Sequence, residues 1–173
     1  DKLIKLASER GWTDVDAKGV AWDKNFLPWK FKDDASEADR GASFSASFVA
    51  WKGYEKEYGV RWEYDRPSNT YKRFNGGASH TDLETKQQLT AHAVVVLFAK
   101  ETGPVDDHAH LLYTNIGSGS GLLLQDGKAS KITWNKLNRS ARTKFMDANG
   151  KEVSFNKGQL WVEMLPTGTP VTY

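Results

Sequence analysis

The sequence predicts a mainly β protein, α+β at most. It should be an antiparallel sheet, sandwich or barrel-like meander of about nine strands with one N-terminal helix. Three observations carry this. Apolar residues alternate with period two at Phe44, Ala46, Phe48 and Ala50, and again at Val60, Trp62 and Tyr64. Asp126-Gly127 and Asn149-Gly150 each stand between apolar runs. That dipeptide is the strongest short-range hairpin signal, because a type I′ turn needs positive φ at both central residues. Only one segment, at the N-terminus, has clear helical spacing.

That helix comes first. Leu3, Leu6, Ala7 and Arg10 recur at helical spacing, with Asp1 as a cap and Gly11 as a stop. Residues 1–21 therefore read as a terminal helix and linker whose upstream part is missing, and residues 22–173 as the β-rich domain. Asp23 to Gly41, rich in Asp and Lys, reads as a linker between helix and sheet. Leu89 to Phe98 begins with alternation and ends fully apolar, which places it centrally in a sheet. Leu122 to Gln125 and Ile132 to Trp134 flank Asp126-Gly127, and Thr143 to Met146 and Glu152 to Phe155 flank Asn149-Gly150. Leu160 to Leu165 and Val171 to Tyr173 supply two further strands. The predicted core includes Phe48, Trp62, Val94, Val96, Leu123 and Trp161.

Composition bounds the function. A chain of 173 residues can bury roughly 70% of its unfolded surface. A net charge of +2 gives no polybasic arm, so no nucleic-acid partner is expected. No run approaches the ~20 apolar residues of a membrane span, so any membrane attachment would be an anchor outside this sequence. The absence of Cys removes disulfides, thiol nucleophiles and thiolate metal sites. It suits an extracellular Gram-positive protein and equally a cytosolic one.

The densest chemistry lies in residues 71–82. His80 and Asp82 are two apart, as are Tyr71 and Arg73, so in extended chain each pair shares a face. Gly76-Gly77 between them permits a sharp reversal that would bring the faces together. His80 with Asp82 is the minimum for a general base, so these two are the weak catalytic candidates. Tyr71, Arg73, Gly77, His80 and Asp82 are the candidate binding set, suited to an anionic or hydroxyl-rich ligand. The bland account is a latch, with Asp82 accepting from Arg73 and His80 pinning a turn.

Elsewhere the signals are weaker. His108 and His110 follow Asp106 and Asp107, but the polar segment with Pro104 reads as a solvated loop, and no metal site is expected. His92 reads as a solvent-facing strand residue. Gly117 to Gly121 carries the letters of a phosphate loop and of a nucleophile elbow, but a strand follows where either motif needs a helix. Those glycines read as tight packing or a bulge, and no cofactor is expected. Seven Trp, namely Trp12, Trp22, Trp29, Trp51, Trp62, Trp134 and Trp161, with Tyr54, Tyr58, Tyr64 and Tyr71, offer core or a stacking face for sugars or apolar partners.

Several blocks together resemble one family. They are Val60-Arg61-Trp62-Glu63-Tyr64-Asp65, Tyr71-Lys72-Arg73, Gly77, His80-Thr81-Asp82 and Val94-Val95-Val96. Further along come Ile116 to Gly119, Asp126-Gly127-Lys128, Thr133-Trp134, Arg142-Thr143, Asn149-Gly150-Lys151 and Gly158 to Trp161. In order and spacing they resemble the C-terminal half of the YerB-like lipoproteins, from about Trp22 to Tyr173. The resemblance implies secretion and lipid anchoring on the outer membrane face of Gram-positive bacteria. It implies no catalytic residues, since the family's molecular function is undetermined. Where family members usually have Asn before the Val run, this chain has Ala93 after His92.

Three functions remain open. The first is an extracellular envelope module, non-catalytic, binding a cell-wall polymer or an envelope protein. The second is a hydrolase using His80 and Asp82. The third is a structural domain that completes the missing N-terminal half by burying an apolar interface against it.

Overall fold

The computed structural model describes residues 2–173, so the expected Asp1 cap lies outside the described residues. In chain order the elements are α1 (Lys2–Glu9), β1 (Lys30–Lys32), β2 (Ser45–Phe48), α2 (Glu55–Tyr58), β3 (Val60–Asp65), β4 (Thr70–Asn75), β5 (Ala78–Ser79), β6 (Thr90–Ala91), β7 (Ala93–Ala99), β8 (Glu101–Thr102), β9 (Leu112–Tyr113), β10 (Gly117–Gln125), β11 (Lys128–Lys136), β12 (Lys144–Met146), β13 (Ser154–Asn156) and β14 (Leu160–Pro166). Two five-stranded sheets dominate. One runs β12-β11-β10-β7-β14, and the other runs β2-β3-β4-β5 with β6 also on β4. The chain is mainly β, as its sequence predicts.

The continuous apolar run at Ala93–Ala99 has a clear cause. Strand β7 lies between β10 and β14 and is covered on both faces. Val94 and Val96 point into the core between the two sheets, with Trp62, Tyr64, Tyr71, Leu122 and Leu124. Ala93, Val95 and Leu97 point the other way, against Trp134, Phe145 and Phe155, with Trp29 packed beside them. Strand β10 divides in the same way, with Leu123 on the second face. Of the predicted core, Phe48, Trp62, Val94, Val96 and Leu123 are buried. Trp161 is half-buried, its ring edge-on to Trp62 at 5.5 Å.

Gly119 shows what the glycine run in β10 is for. A Cβ there would lie 2.6 Å from Nε1 of Trp134, whose N–H donates to the Phe98 carbonyl at 2.9 Å. The strand must be bare where the indole crosses it. Gly119 and Gly121 are close packing within a strand, whereas Gly117 has no atom within 4 Å of a would-be Cβ.

Several expectations need correction. Fourteen strands form among the described residues rather than about nine. The additional ones are two or three residues long, too short for a period of two to register. Two pairings are parallel, β14 on β7 and β1 on β13. A parallel pair needs a long crossover, so no turn dipeptide announces it. Asp23 to Gly41 is not a bare linker, because Lys30–Lys32 forms β1 on β13 and Glu37–Asp39 makes a 3-10 turn. Val171 to Tyr173 makes a single bridge, Thr172 to Ser47, rather than a strand.

The hairpins differ in kind. Asp126 (φ 52°) and Gly127 (φ 69°) form the two-residue turn that their letters predict, with Gln125 opposite Lys128. At Asn149-Gly150 only Gly150 has positive φ. There Asp147 N–H donates to Lys151 O at 2.8 Å, and the loop is three residues long.

Candidate functional site

Strand β4 positions the residues that the sequence singled out. Gly76 and Gly77, both at positive φ, turn the chain so that β5 runs back along β4 with Asn75 opposite Ala78. The register then sets His80 across from Arg73, and the His80 N–H donates to the Arg73 carbonyl at 3.0 Å. Their side chains meet, and the Arg73 Nη1 donates to His80 Nδ1. A guanidinium has no acceptor, so this nitrogen of His80 carries no proton.

Asp82 is not part of that meeting. Strand β6 occupies β4 at Tyr71 and Lys72, and the chain between His80 and Leu89 is forced off the sheet as its own hairpin. The Asp82 carboxylate then accepts from the Glu84 N–H at 3.1 Å, the Thr85 N–H at 2.7 Å and the Thr85 hydroxyl at 2.9 Å. These bonds hold its carboxyl below the usual carboxylate range. The carboxylate that faces Arg73 is Glu163 of β14, which accepts from Arg73 Nη2 at 3.1 Å and Nε at 3.3 Å. Nothing local in the sequence points to Glu163, since it lies 90 positions away.

Arg73 is 6% exposed and its guanidinium lies over the Trp161 ring at 4.9 Å. It bridges the two sheets at the β14 edge. Burial pushes the His80 pKa down and the Arg73 charge pushes it further, with Glu163 opposing. The expectation that a neighbouring carboxylate would favour imidazolium is therefore reversed, because the neighbour is a cation. Tyr71 is fully buried on the same face of β4 as Arg73, but its hydroxyl accepts from the Gly127 N–H at 3.1 Å. Of the five candidates, Gly77 alone lines a surface groove, one of about 370 Å³.

A second polar cluster escaped the sequence. Asp126 Oδ1 accepts from Asn69 Nδ2 at 2.9 Å and Asn156 Nδ2 at 2.6 Å, and Oδ2 from Lys32 at 2.7 Å. Burial pushes this carboxyl up, but the bonds from Lys32, Asn69 and Asn156 outweigh it and hold it at about 2. The cluster ties the β10–β11 turn, the β3–β4 turn and the β1–β13 pair at one point. Asp-Gly signalled the turn, and nothing signalled what its carboxylate reaches.

His80 is committed to Arg73, and the five-residue candidate set does not converge in one pocket. Among the described residues no group of three or more His, Asp or Glu is placed to hold a metal ion. His110 Nδ1 lies 2.6 Å from Asp106 in an exposed loop. His92 is half-buried, with its ring packed against Gly158.

The surface carries stronger features. A groove of about 660 Å³ runs between residues 25–31 and 135–144, lined by Phe26, Leu27, Trp29, Phe31, Leu137 and Arg142. Phe26 is 71% and Leu137 78% exposed. These large apolar side chains face water together, outside both cores.

Comparison with known proteins adds the relationship. Residues 49–162 match the family described as "Protein of unknown function (DUF3048) C-terminal domain". The crystal structure of the YerB protein from Bacillus subtilis superposes with a TM-score of 0.69 at 18% identity. The match covers 99% of this chain and 53% of that one, so the chain spans about half the length of that protein. No curated protein matches.

Proposed function

The chain belongs to the DUF3048 C-terminal domain family, and we propose that it acts as a non-catalytic docking module of an extracellular envelope protein. The observation that carries this reading is the groove of about 660 Å³ formed by Phe26, Leu27, Trp29, Phe31 and Leu137. Its occupant is a segment of the other half of the whole protein. Two facts support that choice. The chain matches only 53% of a protein with the same fold, so a whole protein of that size has room for a covering segment. One wall of the groove, residues 25–31, follows a helix that also faces water with Leu3 and Ile4. Leu3, Ile4, Trp12 and Trp22 are all exposed, so exposed apolar side chains recur along the chain from the helix to the groove wall. An extracellular, lipid-anchored location follows from the family resemblance and belongs to the same proposal.

The hydrolase reading loses its geometric support because Asp82 turns away from His80. The docking reading is tested in the whole protein by Leu137→Asp and Phe26→Asp. Limited proteolysis should then release the covering segment faster, while the β domain stays intact. Unchanged proteolysis in both variants counts against the groove.

A further inference from the structure

The connection between β2 and β3 sets three aromatic side chains on the surface. Trp51, Tyr54 and Tyr58 are 43%, 55% and 50% exposed, and none belongs to either core. The Trp51 and Tyr58 rings meet edge to face, with centroids 5.5 Å apart and planes at 84°. Tyr54 lies 6.1 Å from Tyr58 at 39°. The three make a corner, with two phenol rings shallowly tilted to each other and the indole as a wall. Helix α2 sets the spacing, since Tyr54 and Tyr58 are one turn apart and fall on one side. The neighbouring side of that turn presents Glu55 and Gly59. These line the groove of about 370 Å³ with Arg61, Gly77 and Thr172.

We infer that this aromatic corner and its groove bind a chain of β-linked pyranose sugars. A pyranose in such a chain has apolar C–H faces and a rim of hydroxyls. The negative face of an aromatic ring attracts the C–H groups, and the ring gives up little entropy on binding. The hydroxyls need polar partners beside the rings, and Glu55 supplies one on the turn that carries Tyr54 and Tyr58, while Arg61 lies along the adjoining groove, where it pairs with Glu63. Glu55 accepts from the Gly53 N–H at 3.0 Å, which fixes its carboxylate and holds its carboxyl below the usual range.

The setting also separates this surface from an apolar docking site. Lys52, Glu55, Lys56 and Glu57 interleave with the three rings along the chain and all four are exposed, so charged side chains flank the corner. An apolar protein segment would strand those charges, whereas a hydroxylated ligand satisfies them. The corner and its groove share no residue with the groove around Leu137.

The test is retention of the whole protein on insoluble chitin and cellulose. The wild type should be retained on at least one of them. Trp51→Leu keeps an apolar side chain in place and removes the indole face. It should weaken retention about tenfold, the order expected for one lost stacking face. Tyr54→Leu, which removes the most exposed ring, should weaken it as well, while Leu137→Asp should leave it unchanged. Circular dichroism should show all three variants folded. Failure of the wild type to be retained on either polymer overturns the site. Undiminished retention in Trp51→Leu and Tyr54→Leu overturns it too. So does a loss of retention that merely tracks unfolding, for the rings would then be only a staple for α2.

Discussion

Lys32 Nζ donates to the Asp126 carboxylate at 2.7 Å across 94 positions of chain, and the same ammonium reaches Asn156 Oδ1 at 2.6 Å. This pair fastens β1 and β13 to the turn that closes β10 and β11. Asp126→Asn keeps the turn, because Asn also tolerates positive φ, and removes the charge. It should lower stability by about 2–3 kcal/mol, the usual worth of hydrogen bonds to a mostly buried charged group. Urea unfolding of the two proteins measures this directly.

The same carboxylate sets a pH dependence. Its carboxyl lies at about 2 in the folded protein against an ordinary 3.8. The folded state thus binds fewer protons in that interval. The stability it contributes is complete above the ordinary value and is lost as pH falls from about 4 toward about 2. In Asp126→Asn the difference between the two proteins should shrink across that window. A gap that stays constant from neutral pH down to about 2 would exclude the assignment.

Two turn glycines should respond unequally to valine. At Gly127 a Cβ would lie 2.4 Å from the Tyr64 ring, on top of the cost of φ 69°. At Gly150, φ is 73° and no atom lies within 4 Å. Gly127→Val therefore adds overpacking to backbone strain and should cost about 3 kcal/mol or more. Gly150→Val should cost about 1–2 kcal/mol, the strain alone. Equal melting temperatures would mean that the Tyr64 contact is absent in solution.

His80 should remain neutral where an ordinary histidine titrates. Its folded pKa is depressed by burial and by Arg73. The unfolded state therefore takes up a proton first as pH falls through about 6.5, and stability declines below that value. His80→Gln, which offers an acceptor without titrating, should remove this decline. Imidazole chemical shifts across the titration give the protonation state, and a His80 pKa at or above the ordinary value would contradict the arrangement.

Much of the fold was legible because the signals are local. Alternation at Val60, Trp62 and Tyr64 marks a strand with one face in the core, and Asp126-Gly127 marks the type of the turn between β10 and β11. The pairing of Arg73 with His80 was also legible, since parity and the Gly76-Gly77 reversal both act within ten residues. What stayed hidden depends on distance along the chain. Glu163 takes the place expected of Asp82 because β14 lies parallel beside β7, and β6 displaces Asp82 from β4. Lys32 read as part of a linker because its partners, Asp126 and Asn156, are contributed by strands formed much later. The docking groove needs two segments more than a hundred positions apart, and neither shows it alone.

If the groove around Leu137 is a docking site, another part of the whole protein covers it. A photo-crosslinking phenylalanine analogue placed at Leu137 of the intact protein, followed by peptide mapping, tests this most directly. The expected product is an adduct to a peptide from outside residues 1–173. An adduct confined to residues 1–173, or none at all, would contradict it.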